Sequence, residues 1–189
     1  VFNDPTPSLP IRWTEAFSLA TGKEIHVPAA AVWMPYYYVP EEGELPVMQP
    51  ISTGLSCHCS YEEATLGGLL EVVERDSFSL TWQGKLSWPI IRAESLDDEN
   101  YKLLRQIEKT GYRIELVNAA TELGVPVILS VGVASRKPNP PIVVGASASL
   151  DPAEAVTKSL EEFVHTRRYM REVQDWGDPF DVEPDYSNI

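Results

Sequence analysis

The sequence predicts an α+β (α/β) fold in which a mixed, largely antiparallel sheet packs with two long helices. Three stretches rich in Val and Ile, at 112–119, 126–134 and 142–150, read as strands. Their close spacing favours antiparallel or mixed pairing over a doubly wound sheet. Two long segments, one before and one after these strands, each open with a helix-start signal. A chain of 189 residues that is 43% hydrophobic suits one domain, or a piece of a larger one, with a sizeable core.

Taken in order, Thr21-Gly22-Lys23 reads as a turn before a first strand at 24–33. Residues 36–50 read as a loop with several prolines and an acidic patch. Ser60 followed by Glu63 makes a capping box for a helix running to about Trp82. A second helix at 100–110 is closed by Gly111. After the three strands, Asp151-Pro152 supplies an acidic cap and a first-turn proline for a helix reaching about Asp175. The ending DPFDVEPDYSNI is Pro- and Asp-rich, as segments that leave compact structure are. The expected division is therefore one partial domain at 1–178 and an acidic tail at 179–189. With no initiator methionine, both ends are expected to be boundaries within a longer chain.

Fifteen basic against 28 acidic residues give a formal charge of −13. That argues against a nucleic-acid partner, which needs a basic face, and against an anionic membrane surface. No apolar run approaches the roughly 20 residues that span a bilayer, and VFNDPTPSLPIRW is not a secretory leader. A cytoplasmic location is expected. Cys57 and Cys59 flank His58; two cysteines fit a reducing compartment, and the tripeptide is too compact for a closed zinc site. Both thiols are expected to be small buried side chains.

Chemistry-bearing residues gather on the two long helices. Glu71 and Glu74 are three apart, so they project about 60° from one another, with Arg75 within reach of both. Leu69, Leu70, Val72 and Val73 make most of this helix read as buried, and buried carboxylates call for a partner such as Mg²⁺. The alternative is a pair of surface glutamates with an ordinary Glu71–Arg75 ion pair. On the last helix Glu162 and His165 are three apart, with Lys158 one turn earlier and Arg167 and Arg171 later. Such a set can grip phosphates and their metal. The alternative there is a solvated face with Lys158–Glu162 and Glu161–His165 pairs.

A composite of motifs separates these readings. Ser52-Thr53-Gly54-Leu55-Ser56, then Ser60-Tyr61-Glu62-Glu63-Ala64, then Leu69-Leu70-Glu71-Val72-Val73-Glu74-Arg75-Asp76 resembles the signature of the YcaO family. Gly145-Ala146-Ser147-Ala148, Leu150-Asp151-Pro152 and Ser159-Leu160-Glu161-Glu162 through Arg167 resemble it in the same order, as do Leu19-Ala20-Thr21-Gly22-Lys23 and Val27-Pro28-Ala29. The similarity covers most of residues 13–171.

The resemblance implies an enzyme that uses ATP and Mg²⁺ to phosphorylate a peptide backbone amide oxygen. The outcome expected for this chain is azoline formation (thiazoline or oxazoline) in ribosomally made peptides such as azole-modified microcins and other bacteriocins; other members install thioamides or amidines. Glu74-Arg75-Asp76-Ser77-Phe78 with Leu80-Thr81-Trp82 is more similar to azole-forming cyclodehydratases than to ribosomal-protein methylthiolation accessory factors. Thioamidation and a non-catalytic scaffold are the alternatives. By position, Glu71, Glu74 and Glu162 correspond to acids facing the metal. Ser56, Cys57, Lys158, His165 and Arg167 correspond to positions near the nucleotide, although the family usually has glutamine where this chain has His165. The implied partners are a precursor peptide and a leader-binding protein or domain, with a homodimer left open. The family's serine-to-glutamate ATP motif upstream and its proline-rich C-terminal extension lie outside this sequence, so the isolated fragment is expected to bind nucleotide weakly or not at all and to be inactive.

Overall fold

The computed structural model describes residues 2–175 apart from Pro5 and Pro7. The tail expected at 179–189 lies outside the described residues. The chain divides into two compact units, Val1–Gly68 and Leu69–Ile189.

In the first unit, strands β1 (Trp13–Phe17) and β2 (Glu24–Pro28) form an antiparallel hairpin in which Trp13 pairs with Pro28 and Phe17 with Glu24. Gly22 takes a positive φ of 65° in the connecting turn, a conformation that favours glycine. The strand expected at 24–33 is shorter than that. A 3₁₀ turn at Ala29–Ala31 ends it and buries Ala29 and Ala30. The loop that follows is tied down by Glu44, which is 3% exposed. Its carboxylate accepts from Arg12 Nε at 3.0 Å and Nη2 at 2.7 Å, from Val39 N at 3.1 Å and from the Tyr36 hydroxyl. These donors hold it at a pKa of about 2 against the pull of burial.

Helix α1 (Tyr61–Gly84) begins as the capping box predicts, with Glu63 N donating to Ser60 Oγ at 3.2 Å. The Glu63 carboxylate accepts from the Ser60 hydroxyl at 2.7 Å and lies 2.8 Å from His58 Nδ1. A shelf at Gly67 and Gly68 lets the preceding loop press onto the helix: a Cβ would stand 2.5 Å from Ser56 Oγ at Gly67 and 2.6 Å from Gly54 O at Gly68. Cys57 and Cys59 are free and exposed, not buried as expected. The loop touches the helix at the glycine shelf through Gly54 and Ser56 yet stays at the surface, with residues 55–59 all exposed.

The second unit is built on a four-stranded sheet in the order β3 (Ile90–Ile91), β4 (Tyr112–Asn118), β5 (Val127–Ala134) and β6 (Ile142–Ala148). Every pairing is antiparallel. Helices α2 (Asp98–Glu108) and α3 (Pro152–Asp175) cover one face, where Leu104 and Ile107 meet Ile114, Leu116 and Ile128, and Leu160 and Phe163 meet Tyr112 and Val143. Val73, Leu70 and Phe78 of α1 cover the other face, against Val127, Leu129 and Ala148. Alternation along each strand divides the two apolar sets. Helix α1 is less buried than its sequence suggests, because it offers one face to the sheet while Leu69 and Val72 remain exposed.

Helix α3 packs unusually close. A Cβ at Gly132 would stand 2.3 Å from the Phe163 ring, and one at Gly145 would stand 2.4 Å from Ser159 O. Ser130 Oγ donates to Ser159 O at 2.8 Å across this contact. Asp151 caps the helix, accepting from Ala153 N at 2.9 Å, with Pro152 at its first position.

Candidate active site

Strand β6 is the last of its sheet, so helices on opposite faces approach one another past its edge. There, a cavity of about 150 Å³ is lined by Glu74, Arg75 and Phe78 of α1, Val144–Ala146 of β6, and Glu162 and Thr166 of α3. Two acids read from separate helices of the sequence thus share one pocket.

Glu74 is the more confined, its side chain 16% exposed. Burial raises its pKa to about 7, with the Glu71 and Glu162 carboxylates adding to the rise. The Arg75 guanidinium, its Nε 3.6 Å away, and a hydrogen bond from the Ala148 backbone N–H oppose it. Glu71 lies beside the pocket, 3.9 Å from Arg75 Nε. The Glu71–Arg75 ion pair expected of a surface helix forms, and Glu74 is confined rather than on the surface.

On α3, Glu162 lies 4.0 Å from His165 Nδ1, and His165 is well exposed. Lys158 is engaged by Glu154 at 2.9 Å, so the pairs differ from the expected Lys158–Glu162 and Glu161–His165. Arg167 is not brought to this pocket. Five residues beyond Glu162 is about 140° further round the helix, and its Nη1 donates to Thr110 Oγ1 near Tyr112. Thr166, one turn after Glu162, takes the pocket-lining place and was the residue to name from the helical period. The wall formed by Val144, Gly145 and Ala146 carries no polar side chain for sequence reasoning to single out. Ser56 and Cys57 belong to the first unit.

Among the described residues no group of three or more His, Cys, Asp or Glu side chains is placed to hold a metal ion by itself. Glu71, Glu74 and Glu162 are thus not a preformed three-carboxylate cage. Two carboxylates in one small pocket do suit Mg²⁺, which keeps waters and takes phosphate oxygens for the rest of its shell. At about 150 Å³ the cavity admits a phosphoryl group and its ion, well short of the roughly 300–1,000 Å³ of a drug-sized ligand site. Among the described residues no helix is long and apolar enough to cross a membrane.

The sequence model of the family described as YcaO cyclodehydratase, ATP- and Mg²⁺-binding, matches residues 1–187. An uncharacterised protein of Methanothermobacter thermautotrophicus is 30% identical over 159 residues, 83% of this chain and 41% of that protein. Among solved structures, YcaO from Methanopyrus kandleri bound with AMPPCP and Mg²⁺ is 30% identical with a TM-score of 0.75, over 91% of this chain and 45% of that one. A heterocyclase in complex with substrate and cofactor is 25% identical with a TM-score of 0.78, over 90% of this chain and 22% of that one. The chain therefore spans less than half the length of each of these relatives. With a family match over nearly every residue and two helices converging on an acidic sheet-edge pocket, the chain belongs to the YcaO family of cyclodehydratase-type enzymes.

Proposed function

We propose that this chain supplies part of an ATP- and Mg²⁺-dependent site that phosphorylates a peptide backbone amide oxygen, most directly for azoline formation in a ribosomally made peptide. The observation that carries the reading is Glu74: a carboxylate buried deeply enough to titrate near 7, sharing its pocket with Glu162. A site built this way favours an added cation, because the buried acid is under-neutralised by Arg75 alone. Glu74 and Glu162 would hold Mg²⁺, with Glu71 adding negative field beside them. The ion would offset charge on the transferred phosphoryl group.

The reaction balances simply. The amide oxygen attacks the γ-phosphorus and ADP departs. A Cys, Ser or Thr side chain of the peptide adds to the activated carbon, and the oxygen leaves on phosphate. The nucleophile and the amide nitrogen each lose a proton, leaving a C=N bond in the ring. Within this chain Glu162 lines the pocket; His165, exposed and 4.0 Å from Glu162, and Lys158, one turn earlier, keep their nucleotide assignment on the resemblance alone. For Ser56 and Cys57 the assignment to the nucleotide rests on the resemblance alone, and Arg167 is given no part in the pocket. A cytoplasmic setting, a precursor peptide and a leader-binding partner follow from the same reading.

The test is ATP turnover in a polypeptide of the length its relatives have. Glu74→Gln and Glu162→Gln, and separately Glu71→Ala, are expected to abolish peptide-dependent ADP release while circular dichroism stays unchanged. Wild-type rates in a folded Glu74→Gln protein would remove the assignment.

A further inference from the structure

The backbone of β6 carries information that its side chains do not. Ala134 N donates to Pro141 O at 2.9 Å and Ser149 N to Pro126 O at 3.2 Å, at the two ends of the β5–β6 ladder. In an antiparallel ladder the bonded pairs alternate. With Gly132 opposite Val143 and Ser130 opposite Gly145, Val143, Gly145 and Ser147 therefore aim their N–H and C=O groups at β5. Val144, Ala146 and Ala148 aim theirs away from the sheet. The Ala148 N–H lies on the Glu74 side, where it favours the charged form of that carboxylate. Among the described residues, the outward N–H and C=O groups of Val144 and Ala146 have no protein partner, and both residues line the acidic pocket.

Exposed strand edges are normally blunted by proline, charge or a bulge. The run Ile142-Val143-Val144-Gly145-Ala146-Ser147-Ala148 has no proline and no charge, and its register is unbroken. An edge left open beside a reactive pocket is suited to strand addition, in which main-chain bonds give affinity and alternate side chains give specificity.

We propose that the substrate peptide docks as an added strand on β6, pairing its backbone with Val144 and Ala146, so that one of its own amides is presented at the edge of the pocket that Glu74 and Glu162 share. This rests on the amide-activating reading above and adds to it how the amide is delivered.

The experiment uses this chain, without nucleotide, and a synthetic extended peptide rich in Gly, Ser, Thr and Cys. Amide hydrogen exchange is read by NMR. Saturating peptide is expected to slow exchange at Val144 and Ala146 by about tenfold or more. Peptides N-methylated at every second amide should separate into one register that binds and one that does not, since only alternate amides of an added strand face β6. Ala146→Pro removes an outward N–H without touching the β5 ladder, a substitution edge strands tolerate, and should weaken the peptide. If that variant does not fold, the N-methyl series on the unaltered chain decides alone. Equal binding by both N-methyl registers, or protection of these amides by Mg-ATP but not by peptide, would overturn the proposal. A peptide effect with no Mg-ATP response in the longer polypeptide would sink the ATP reading and keep this one; the reverse result would do the opposite.

Discussion

Glu74 titrates near 7 while an unfolded glutamate titrates near 4.5, so the folded chain holds a proton that the unfolded chain has lost. The associated stability is present below about pH 4.5 and is lost as pH rises through 7. Glu74→Gln should therefore stabilise the metal-free chain at pH 8, by up to roughly 3 kcal/mol, and flatten the pH dependence of urea unfolding between 4.5 and 7. An unchanged profile would show that Glu74 is not buried as described. Glu44 has the opposite sign. Its pKa near 2 gives stability that is present above about 4.5 and drains away as pH falls toward 2. Glu44→Ala leaves Arg12 and Tyr36 without their shared acceptor and should cost about 3–5 kcal/mol in the unfolding of the first unit. At this scale the sequence was informative about identity and less so about direction. Glu71, Glu74 and Glu162 could be picked out from helical spacing and motif. The rotation that carries Arg167 to Thr110, and the donors that converge on Glu44 from positions 12, 36 and 39, depend on packing that no local pattern encodes.

Elements with strong local signals matched their expected limits closely. Helix α1 ends two residues beyond Trp82, and α3 starts at the proline and ends at Asp175 as read. Strands β4 to β6 agree within two residues at each end, because Val and Ile runs bounded by Gly, Pro and Asn leave little choice. Strand β1 was missed: WTEAF carries no Val or Ile and owes its form to pairing with β2. Strand β3 is two residues, shorter than any periodicity can show. The close packing of α3 was also hidden, since a glycine in a strand announces a gap without naming what fills it. Gly145→Ala would force the strand and the Ser159 carbonyl apart, and Gly132→Ala would force out the Phe163 ring. Each should lower stability by about 1–3 kcal/mol in denaturant titration, and the Gly145 variant should also weaken Mg²⁺ binding by moving Glu162. A Gly145→Ala protein with unaltered stability would contradict the contact.

At the scale of the molecule, the cavity is sized for the phosphate end of a nucleotide and offers nothing large enough for a base. Calorimetry of this chain with Mg-ATP is accordingly expected to detect no tight binding, whereas a polypeptide of full family length should bind; strong heats from the chain alone would contradict this. Fold class was legible because the order of elements and the antiparallel spacing leave few arrangements. The place of the pocket was not, since it exists only where the sheet stops and helices from its two faces reach past the last strand. Gly145 gives that geometry a mechanical asymmetry. With no side chain between them, the backbones of α3 and β6 meet directly at Gly145 and Ser159. Glu162 follows on that helix. Reshaping the pocket at the α3 wall therefore means breaking that backbone contact, whereas no glycine of α1 packs against β6 on the wall that carries Glu74.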